Sequence, residues 1–353
     1  MHMADALLSP PVGGLMLAAG VAAIGVSVKK IGSGGGGLDE KKIPMMGVMG
    51  AFVFAGQMIN FTIPGTGSSG HIGGGVLLAA ILGPFPALIT LASVLLIQCL
   101  FFADGGLLAY GCNVVNMAVI PCLLAFPFIY KPIVAKGLSK KTISVAAVLS
   151  VVVGLQLGAF GVVLETLVSG VTELPFGTFV LLMQPIHLAI GLVEGVVTAA
   201  VLCFVHSAHP ELLESAISGG NNADGNSAGG NSAGGKRIRT VVVVFAVLSA
   251  LIAGGLSILA SSNPDGLEWA MEKTAGTAEL EREGPVFQAA AGAVEKTAFL
   301  PDYALKDGEG SGGETALAGI VGSVITVIIA GGAGLLIHAT RAARRVTQEK
   351  KAV

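Results

Sequence analysis

The sequence predicts an all-α integral membrane protein, a polytopic bundle of about seven spanning or re-entrant helices followed by a C-terminal two-span module. Hydrophobic residues make up 53% of the chain and charged residues 12%, which is far from the balance of a soluble domain. Apolar runs long enough to cross roughly 30 Å of hydrocarbon as helices recur along the chain. None has the strict apolar/polar alternation of a membrane strand.

The apolar runs define the predicted spans. They lie at about 11–28, 43–62, 86–103, 107–130, 142–166, 178–205, 238–260 and 315–338. A further apolar segment, 73–82, is too short to span comfortably. We expect it to enter from the outer face and to turn back at 83–86, as a short helix or a re-entrant hairpin, because this keeps an even number of crossings between the basic clusters.

Four basic clusters predict the orientation, since positively charged flanks stay in the cytoplasm. They are Lys29, Lys30, Lys41 and Lys42; Lys131, Lys136, Lys140 and Lys141; Lys236, Arg237 and Arg239; and Arg341, Arg344, Arg345, Lys350 and Lys351. With all four inside, the N-terminus is outside and the C-terminus is cytoplasmic. His2, 62–72, 103–106 and 261–314 then share the external face of a multi-pass protein of the inner (cytoplasmic) membrane.

A tract rich in Gly, Ser and Asn, GGNNADGNSAGGNSAGG at 219–235, divides the chain. Such a composition buries too little apolar area to offset its ordering entropy, so we predict a flexible linker. It joins a membrane domain, 1–218, to a two-span module, 236–353. The external loop of that module, 261–314, holds eleven acidic residues against four basic ones. This excess either attracts cations weakly or is a solvated surface.

The first residues, MHMADALLSP, offer three nitrogens to one metal ion: the amine of Met1, the amide of His2 and the His2 imidazole. The two amino-terminal nitrogens close a five-membered chelate ring, and the amide with Nδ1 closes a six-membered one. Such a set suits Ni(II) or Cu(II), which favour square-planar fields, and it leaves one corner open. His71, in PGTGSSGHIGGG, is the candidate for that corner. The alternative is that His2 is a disordered terminal residue and His71 an interfacial one.

Other polar residues within or beside the spans need partners, because each is costly in hydrocarbon. Asn60, Asn116 and Glu194 are candidates to orient His71 or the N-terminal strand, or they bridge helices. Asp5 is a candidate partner for an imidazole N–H or the terminal amine, whereas Asp104, in ADGG, is expected to be a turn residue. Basic patches with interleaved aromatic residues are missing from the sequence, so no nucleic-acid partner is expected.

The segments MHMADALLSP, GQMINFTIPGTGSSGHIGGGVLLAAILGP, FFADGGLLAYGCNVVNMA and HLAIGLVEGVVTA resemble the successive motifs of the CbiM/NikM family. These proteins are the substrate-binding (S) components of energy-coupling factor (ECF) transporters for cobalt and nickel. The resemblance covers about 1–206, and PDGLEW resembles the PDGLE domain of the accessory N-type component. It implies that the metal is held by the Met1 amine, the amide and ring nitrogens of His2, and His71. Departures are Ala6-Leu7, where Gly-Phe is usual, and the GSSGH form of the motif around Ser69.

Energy conversion is absent from the sequence, which has no GxxxxGK[ST] phosphate loop and no HExxH pair, so we expect a transport subunit and not an enzyme. The resemblance implies separate ABC ATPase subunits and a membrane scaffold (T) subunit. Small-residue pairs, Ala18/Ala22 and Ala19/Ala23, offer a helix contact surface for a partner or within the bundle. No permanently bound cofactor is expected, only transported Ni(II) or Co(II). One alternative is a cobalt importer subunit for cobalamin biosynthesis. A more distant alternative is a stand-alone secondary metal transporter, which would need intramembrane carboxylates along its path; only Glu165 and Glu194 qualify.

Overall fold

The computed structural model describes residues 2–34, 38, 42–171, 174–218, 231–278, 280, 282–306, 308 and 312–352, with backbone alone for 231–238 and 344–352. Helices dominate this part of the chain, which confirms the predicted all-α membrane class. Six of the described helices are long and apolar enough to cross a membrane: Pro10–Gly32, Pro84–Phe102, Tyr110–Val134, Lys140–Ser169, Phe176–Ala208 and Gly312–Ala343.

The first module runs from α1 to α9. Its elements are α1 (Pro10–Gly32), α2 (Lys42–Gln57), β1 (Phe61–Ile63), β2 (Ser68–Gly70), α3 (Gly75–Leu82), α4 (Pro84–Phe102), α5 (Tyr110–Val114), α6 (Lys131–Val134), α7 (Lys140–Ser169), α8 (Phe176–Ala208) and α9 (Pro210–Ser218). A π-helical stretch, Val115–Tyr130, joins α5 to α6 and contains Pro121 and Pro127. Each proline lacks the N–H that a regular α-helical ladder needs at its position.

The C-terminal module consists of α10 (Asn231–Gly254), α11 (Gly266–Ala275), α12 (Pro285–Thr297) and α13 (Gly312–Ala352). Single 3₁₀ turns lie at Asp5–Leu7, Leu256–Leu259 and Pro301–Tyr303. Of the predicted linker, 219–230 lie outside the described residues, and α10 begins at Asn231.

The short apolar segment forms α3, which has eight residues and ends at Gly83. Gly83 has a φ of 91°, a value that favours glycine, and the chain continues directly into α4. Lys42 Nζ, at the start of α2, donates to the carbonyl of Leu82 at 3.4 Å. At the other end of α2, Gln57 Oε1 accepts from Gln98 Nε2 of α4 at 2.9 Å. The chain therefore reverses between α3 and α4, which is the geometry that the predicted turn at 83–86 requires.

The predicted span 43–62 is wrong at its C-terminal end. Helix α2 ends at Gln57, and the following residues form an antiparallel hairpin in which Phe61 pairs with Gly70 and Ile63 with Ser68. Gly65 and Gly67 reverse the chain between the strands, with φ values of 78° and 76°. Asn60 therefore lies in the loop before this hairpin and does not share a helical face with Gln57.

Small residues let α13 of the C-terminal module pack closely on α2. A Cβ placed on Gly47 would lie 2.9 Å from the carbonyl oxygen of Val327, so the two backbones touch where a side chain would keep them apart. At one end of the bundle, Ser261 N–H donates to the Asn60 carbonyl at 2.7 Å. At the opposite end, Arg341 Nη1 donates to the Leu38 carbonyl at 3.1 Å. The two modules thus form one bundle.

Candidate metal centre

The extended segment at residues 2–4, which we call the N-terminal strand, is clamped at Met3 by Asn113 of α5. Met3 N–H donates to Asn113 Oδ1 at 2.7 Å, and Asn113 Nδ2 donates to the Met3 carbonyl at 3.2 Å. The same carbonyl accepts from Gly106 N–H at 3.0 Å, and the Met3 side chain is fully buried. These contacts hold the backbone of the neighbouring residue, His2, at a defined place on the bundle.

Asp5 anchors the next part of this strand. Its Oδ1 accepts from Ala109 N–H at 2.9 Å, and burial raises the pKa of the Asp5 carboxyl. A Cβ placed on Gly106 would lie 1.7 Å from the same oxygen, so only glycine leaves room for the carboxylate here. The Asp5 side chain therefore contacts the 106–109 loop. The predicted contact of Asp5 with an imidazole is not seen at His2, whose ring contacts Asp104 instead.

The His2 ring faces Asp104. His2 Nδ1 lies 3.2 Å from Asp104 Oδ1, and the His2 side chain is only 8% exposed. Burial lowers the pKa of His2, which favours the neutral ring, and in the tautomer with the proton on Nδ1 this nitrogen donates to Asp104. Nε2 is buried and has no hydrogen-bond partner among the described residues. Asp104 also accepts from the Tyr303 hydroxyl of the C-terminal module. The prediction that Asp104 is only a turn residue therefore missed these two side-chain contacts.

His71 directly follows β2, on a loop bounded by glycines. Its Nδ1 lies 3.1 Å from the carbonyl oxygen of Ile72, which can only accept, so Nδ1 carries the proton and Nε2 the lone pair. Burial lowers the pKa of His71 to about 3. The ring is therefore neutral at physiological pH, in the form that binds a metal ion.

The fold brings these two histidines together. Their rings are stacked with centroids 5.2 Å apart and an interplanar angle of 13°, although they belong to the N-terminal strand and to the loop after β2. Met1, the third predicted ligand residue, lies outside the described residues. The described part of the chain holds no group of three or more His, Cys, Asp and Glu side chains able to hold a metal ion. A metal bound at His2 and His71 would therefore need further ligands of another kind, such as main-chain nitrogens or water.

Buried polar groups support the loop that carries His71. Gln57 Nε2 donates to the Gly73 carbonyl at 2.9 Å, and Glu194 Oε1 accepts from Gly74 N–H at 2.9 Å. Glu194 thus contacts the loop that carries His71, and its role in orienting His71 stays a prediction. Asn116 instead bridges helices, because its Nδ2 donates to Glu165 Oε2 at 2.8 Å.

The sequence reasoning did not select Asn113, the residue that holds Met3 in the structure. The available signal was weak: an asparagine three residues before Asn116 in an otherwise apolar run. Sequence alone does not distinguish these two asparagines, because the difference lies in partners distant along the chain. In the structure, Asn113 holds the N-terminal strand while Asn116 contacts α7.

Comparison with known proteins places the chain among metal transporters. A family model described as the cobalt uptake substrate-specific transmembrane region, CbiM, matches residues 2–212. This chain belongs to the CbiM family. A second model, the PDGLE domain, matches residues 239–339, so the resemblance expected from the sequence motifs is confirmed.

Proteins named for nickel transport and for cobalt transport are both similar to this chain. The fused NikMN protein of Archaeoglobus fulgidus is 32% identical over 331 residues, covering 93% of this chain and 96% of that protein. The cobalt transport protein CbiM of Geobacter sulfurreducens is 28% identical, covering 73% of this chain and 72% of that protein. A crystal structure of a truncated transition metal transporter, 31% identical, aligns with a TM-score of 0.52 over 59% of this chain and 100% of that chain. The protein is thus a multi-pass membrane member of a metal transport family.

Proposed function

We propose that this protein is the substrate-specificity subunit of an ECF-type ABC importer and captures Ni(II) at the outer face of the inner membrane. The observation that carries the proposal is the stacking of the His2 and His71 rings, with centroids 5.2 Å apart, at the end of the bundle that the charge pattern assigns to the outside. Neutral imidazoles brought together in this way are ligands that suit nickel and cobalt.

The proposed donor set is the Met1 amine, the amide and Nδ1 of His2, and Nε2 of His71. The His71 tautomer supports it, because the proton on Nδ1 leaves the lone pair on the nitrogen that the set requires. His2 Nδ1 now faces Asp104, so metal binding would replace that contact. We propose that Asp104 holds the imidazole while the site awaits its substrate. Four nitrogens in a plane match the preference of Ni(II) for tetragonal fields.

Cobalt is the second candidate substrate. The Geobacter sulfurreducens relative, which this chain matches over 72% of that protein's length, is named a cobalt transport protein. The same nitrogens bind Co(II). In that case the protein would be the importer subunit that supplies cobalamin biosynthesis. Nickel is preferred because of the planar donor set and because the fused NikMN relative matches nearly the whole chain, including the C-terminal module.

ATP hydrolysis would then reside on separate ABC ATPase subunits, coupled through a membrane scaffold (T) subunit. Helix α1 offers a surface for such a partner subunit, because only 17% of its 18-residue apolar stretch is buried within the chain. Ala18 and Ala22 lie exposed on it, one turn apart, and let another helix approach closely. A stand-alone transporter is disfavoured because its two intramembrane carboxylates are already hydrogen-bonded, Glu165 to Asn116 and Glu194 to Gly74.

Two measurements on the full-length protein test the proposal. The metal content of purified protein, followed by competition between Ni(II) and Co(II) in calorimetry, identifies the substrate. Uptake of ⁶³Ni by cells that express the protein, with and without its scaffold and ATPase partners, tests the subunit role. We expect nickel to bind most tightly and uptake to require the partners. Sustained uptake without an ATPase would favour the secondary transporter.

A further inference from the structure

We infer that Asp265, in the PDGLE segment of the C-terminal module, is a functional part of the metal site and places a carboxylate beside the substrate cation. This inference rests on the proposed function, because it concerns the same site. It assigns to the second module a direct part in cation binding and goes beyond the two histidines and the N-terminal strand.

The PDGLE segment is docked on the hairpin that precedes His71. Ser69 N–H donates to the Pro264 carbonyl at 2.8 Å, and Ser69 Oγ donates to the Asn263 carbonyl at 2.8 Å. Trp269 Nε1, one turn into α11, donates to the Thr66 carbonyl at 3.0 Å. Ser69 is fully buried beneath this segment. The start of α11 is therefore a fixed part of the outer end of the bundle and not a solvated loop.

Asp265 lies where two cavities meet. The outer cavity is lined by His2, Asp104, His71 and Asp265. The inner cavity, of about 30 Å³, is lined by His71, Asp265, His187 and Glu194 among others. His71 and Asp265 line both cavities, so this pair lies at the boundary between them.

Buried nitrogen atoms face these cavities from both sides of Asp265. His187 Nδ1 donates to the Met183 carbonyl at 2.8 Å, which leaves the lone pair on Nε2. His187 is 1% exposed, and its Nε2, like that of His2, has no hydrogen-bond partner among the described residues. A buried nitrogen lone pair without a donor is costly, and a cation would satisfy it. Such a cation also needs negative charge nearby, which neutral imidazoles do not provide.

Asp265 has a structural role that must be separated from this one. As the N-cap of α11, its Oδ1 accepts from Leu267 N–H at 2.7 Å and from Glu268 N–H at 2.9 Å. Asparagine and serine cap helices about as well as aspartate, so capping does not need the charge. Beyond capping, the negative charge attracts a nearby cation, because opposite charges attract strongly in a partly desolvated site.

Close packing fixes the position of Asp265 over the inner cavity. A Cβ placed on the next residue, Gly266, would lie 3.1 Å from His187 Cε1 and 3.0 Å from Ile190 Cδ1. The backbone of the PDGLE segment therefore rests directly on α8, the helix that carries His187 and Glu194. The glycine of PDGLE lets the preceding aspartate reach the site.

The test is Asp265→Asn in the full-length protein, with Ni(II) alone as the probe in calorimetry. Asparagine keeps the cap and the shape but removes the charge, so we expect Ni(II) affinity to fall at least tenfold while the thermal unfolding midpoint stays at the wild-type value. Asp265→Ser, a second capping residue without charge, should give the same loss. The matched control is Asp302→Asn, which removes a carboxylate that lines only the outer cavity in the described part of the site and should change affinity less than twofold.

Wild-type affinity in both Asp265→Asn and Asp265→Ser would overturn the inference and leave the proposed function standing. Equal losses in Asp265→Asn and Asp302→Asn would also overturn it, because they would show a general effect of surface charge. Failure of the wild-type protein to bind Ni(II) or Co(II) would instead overturn the proposed function itself.

Discussion

Replacing Asn113 by alanine should release the N-terminal strand from the bundle and so weaken nickel binding. Asn113 makes two hydrogen bonds with the backbone of Met3, at 2.7 and 3.2 Å, and both are buried. The substitution leaves every proposed metal ligand in place. It therefore tests whether positioning of the strand, rather than the identity of the ligands, sets the affinity.

The size of the effect follows from what the alanine variant leaves unpaired. The Met3 carbonyl keeps its bond from Gly106 N–H at 3.0 Å, so only the Met3 N–H loses its sole described partner. One lost bond plus one buried unsatisfied donor costs about 2 kcal/mol, or roughly 30-fold in an equilibrium constant. This roughly 30-fold change is the upper limit for the loss of Ni(II) affinity. It is reached when the N-terminal strand is mostly undocked in the metal-free variant, because the apparent affinity scales with the fraction of molecules in which the strand is docked.

Calorimetric titration of purified Asn113→Ala with Ni(II) measures this loss, and we expect it to lie between roughly 5-fold and 30-fold. Asn116→Ala is the matched control, because it removes a side chain of the same type whose bond goes to Glu165. That variant should lower the thermal unfolding midpoint but keep nickel affinity near wild type. Wild-type affinity in a folded Asn113→Ala protein would refute the reasoning, since it would mean that Asp5 and Gly106 alone hold the strand.

Three further predictions concern the same site. His71→Ala should lower Ni(II) affinity at least tenfold in calorimetry, whereas His187→Ala should have a milder effect; a His187 loss as large as that of His71 would contradict the assignment of ligands. Gly106→Ala should weaken nickel binding and lower the unfolding midpoint, because its Cβ would lie 1.7 Å from Asp5 Oδ1, and an unchanged midpoint would show that the loop adapts. An N-terminal extension should abolish tight nickel binding, because it converts the proposed Met1 amine into an amide, while a C-terminal tag should be tolerated; equal affinities would exclude the amine as a ligand.

The membrane class and most helices could be predicted from the sequence because burial in hydrocarbon demands long apolar runs, which are visible without knowledge of neighbours. The hairpin at Phe61–Gly70 could not be predicted in this way. Its apolar residues extend the run that forms α2, and only the paired backbone, with its glycine turn, shows where the helix stops. The reversal at Gly83 was predictable for a different reason: the basic residues on either side have to lie on one face.

Topology and chelate chemistry made the pairing of His2 with His71 one of two interpretations, and the family resemblance selected it, but the groups that position the two histidines could not be anticipated. Asn113 and Asp104 act through partners that the fold brings from distant parts of the sequence: Met3 is 110 positions from Asn113, and Tyr303 is 199 positions from Asp104. Contacts between residues so far apart in the sequence cannot be predicted from local composition. Asp104 in particular stands in ADGG, where a turn is an adequate explanation of its presence.

The acidic loop at 261–314 shows how the position of a carboxylate separates a charge near the proposed metal site from a solvated one. From the sequence alone, the eleven acidic residues in 265–314 cannot be told apart, and weak attraction of cations is the only property predicted for them. In the structure, the hydrogen bonds of Ser69 to Asn263 and Pro264 bring one of them, Asp265, to the junction of the two cavities. An exposed carboxylate is screened by water and salt, whereas one beside buried imidazoles acts at short range in a lower dielectric. The contribution of the C-terminal module to cation binding therefore depends on where one residue is docked and not on the net charge of the loop.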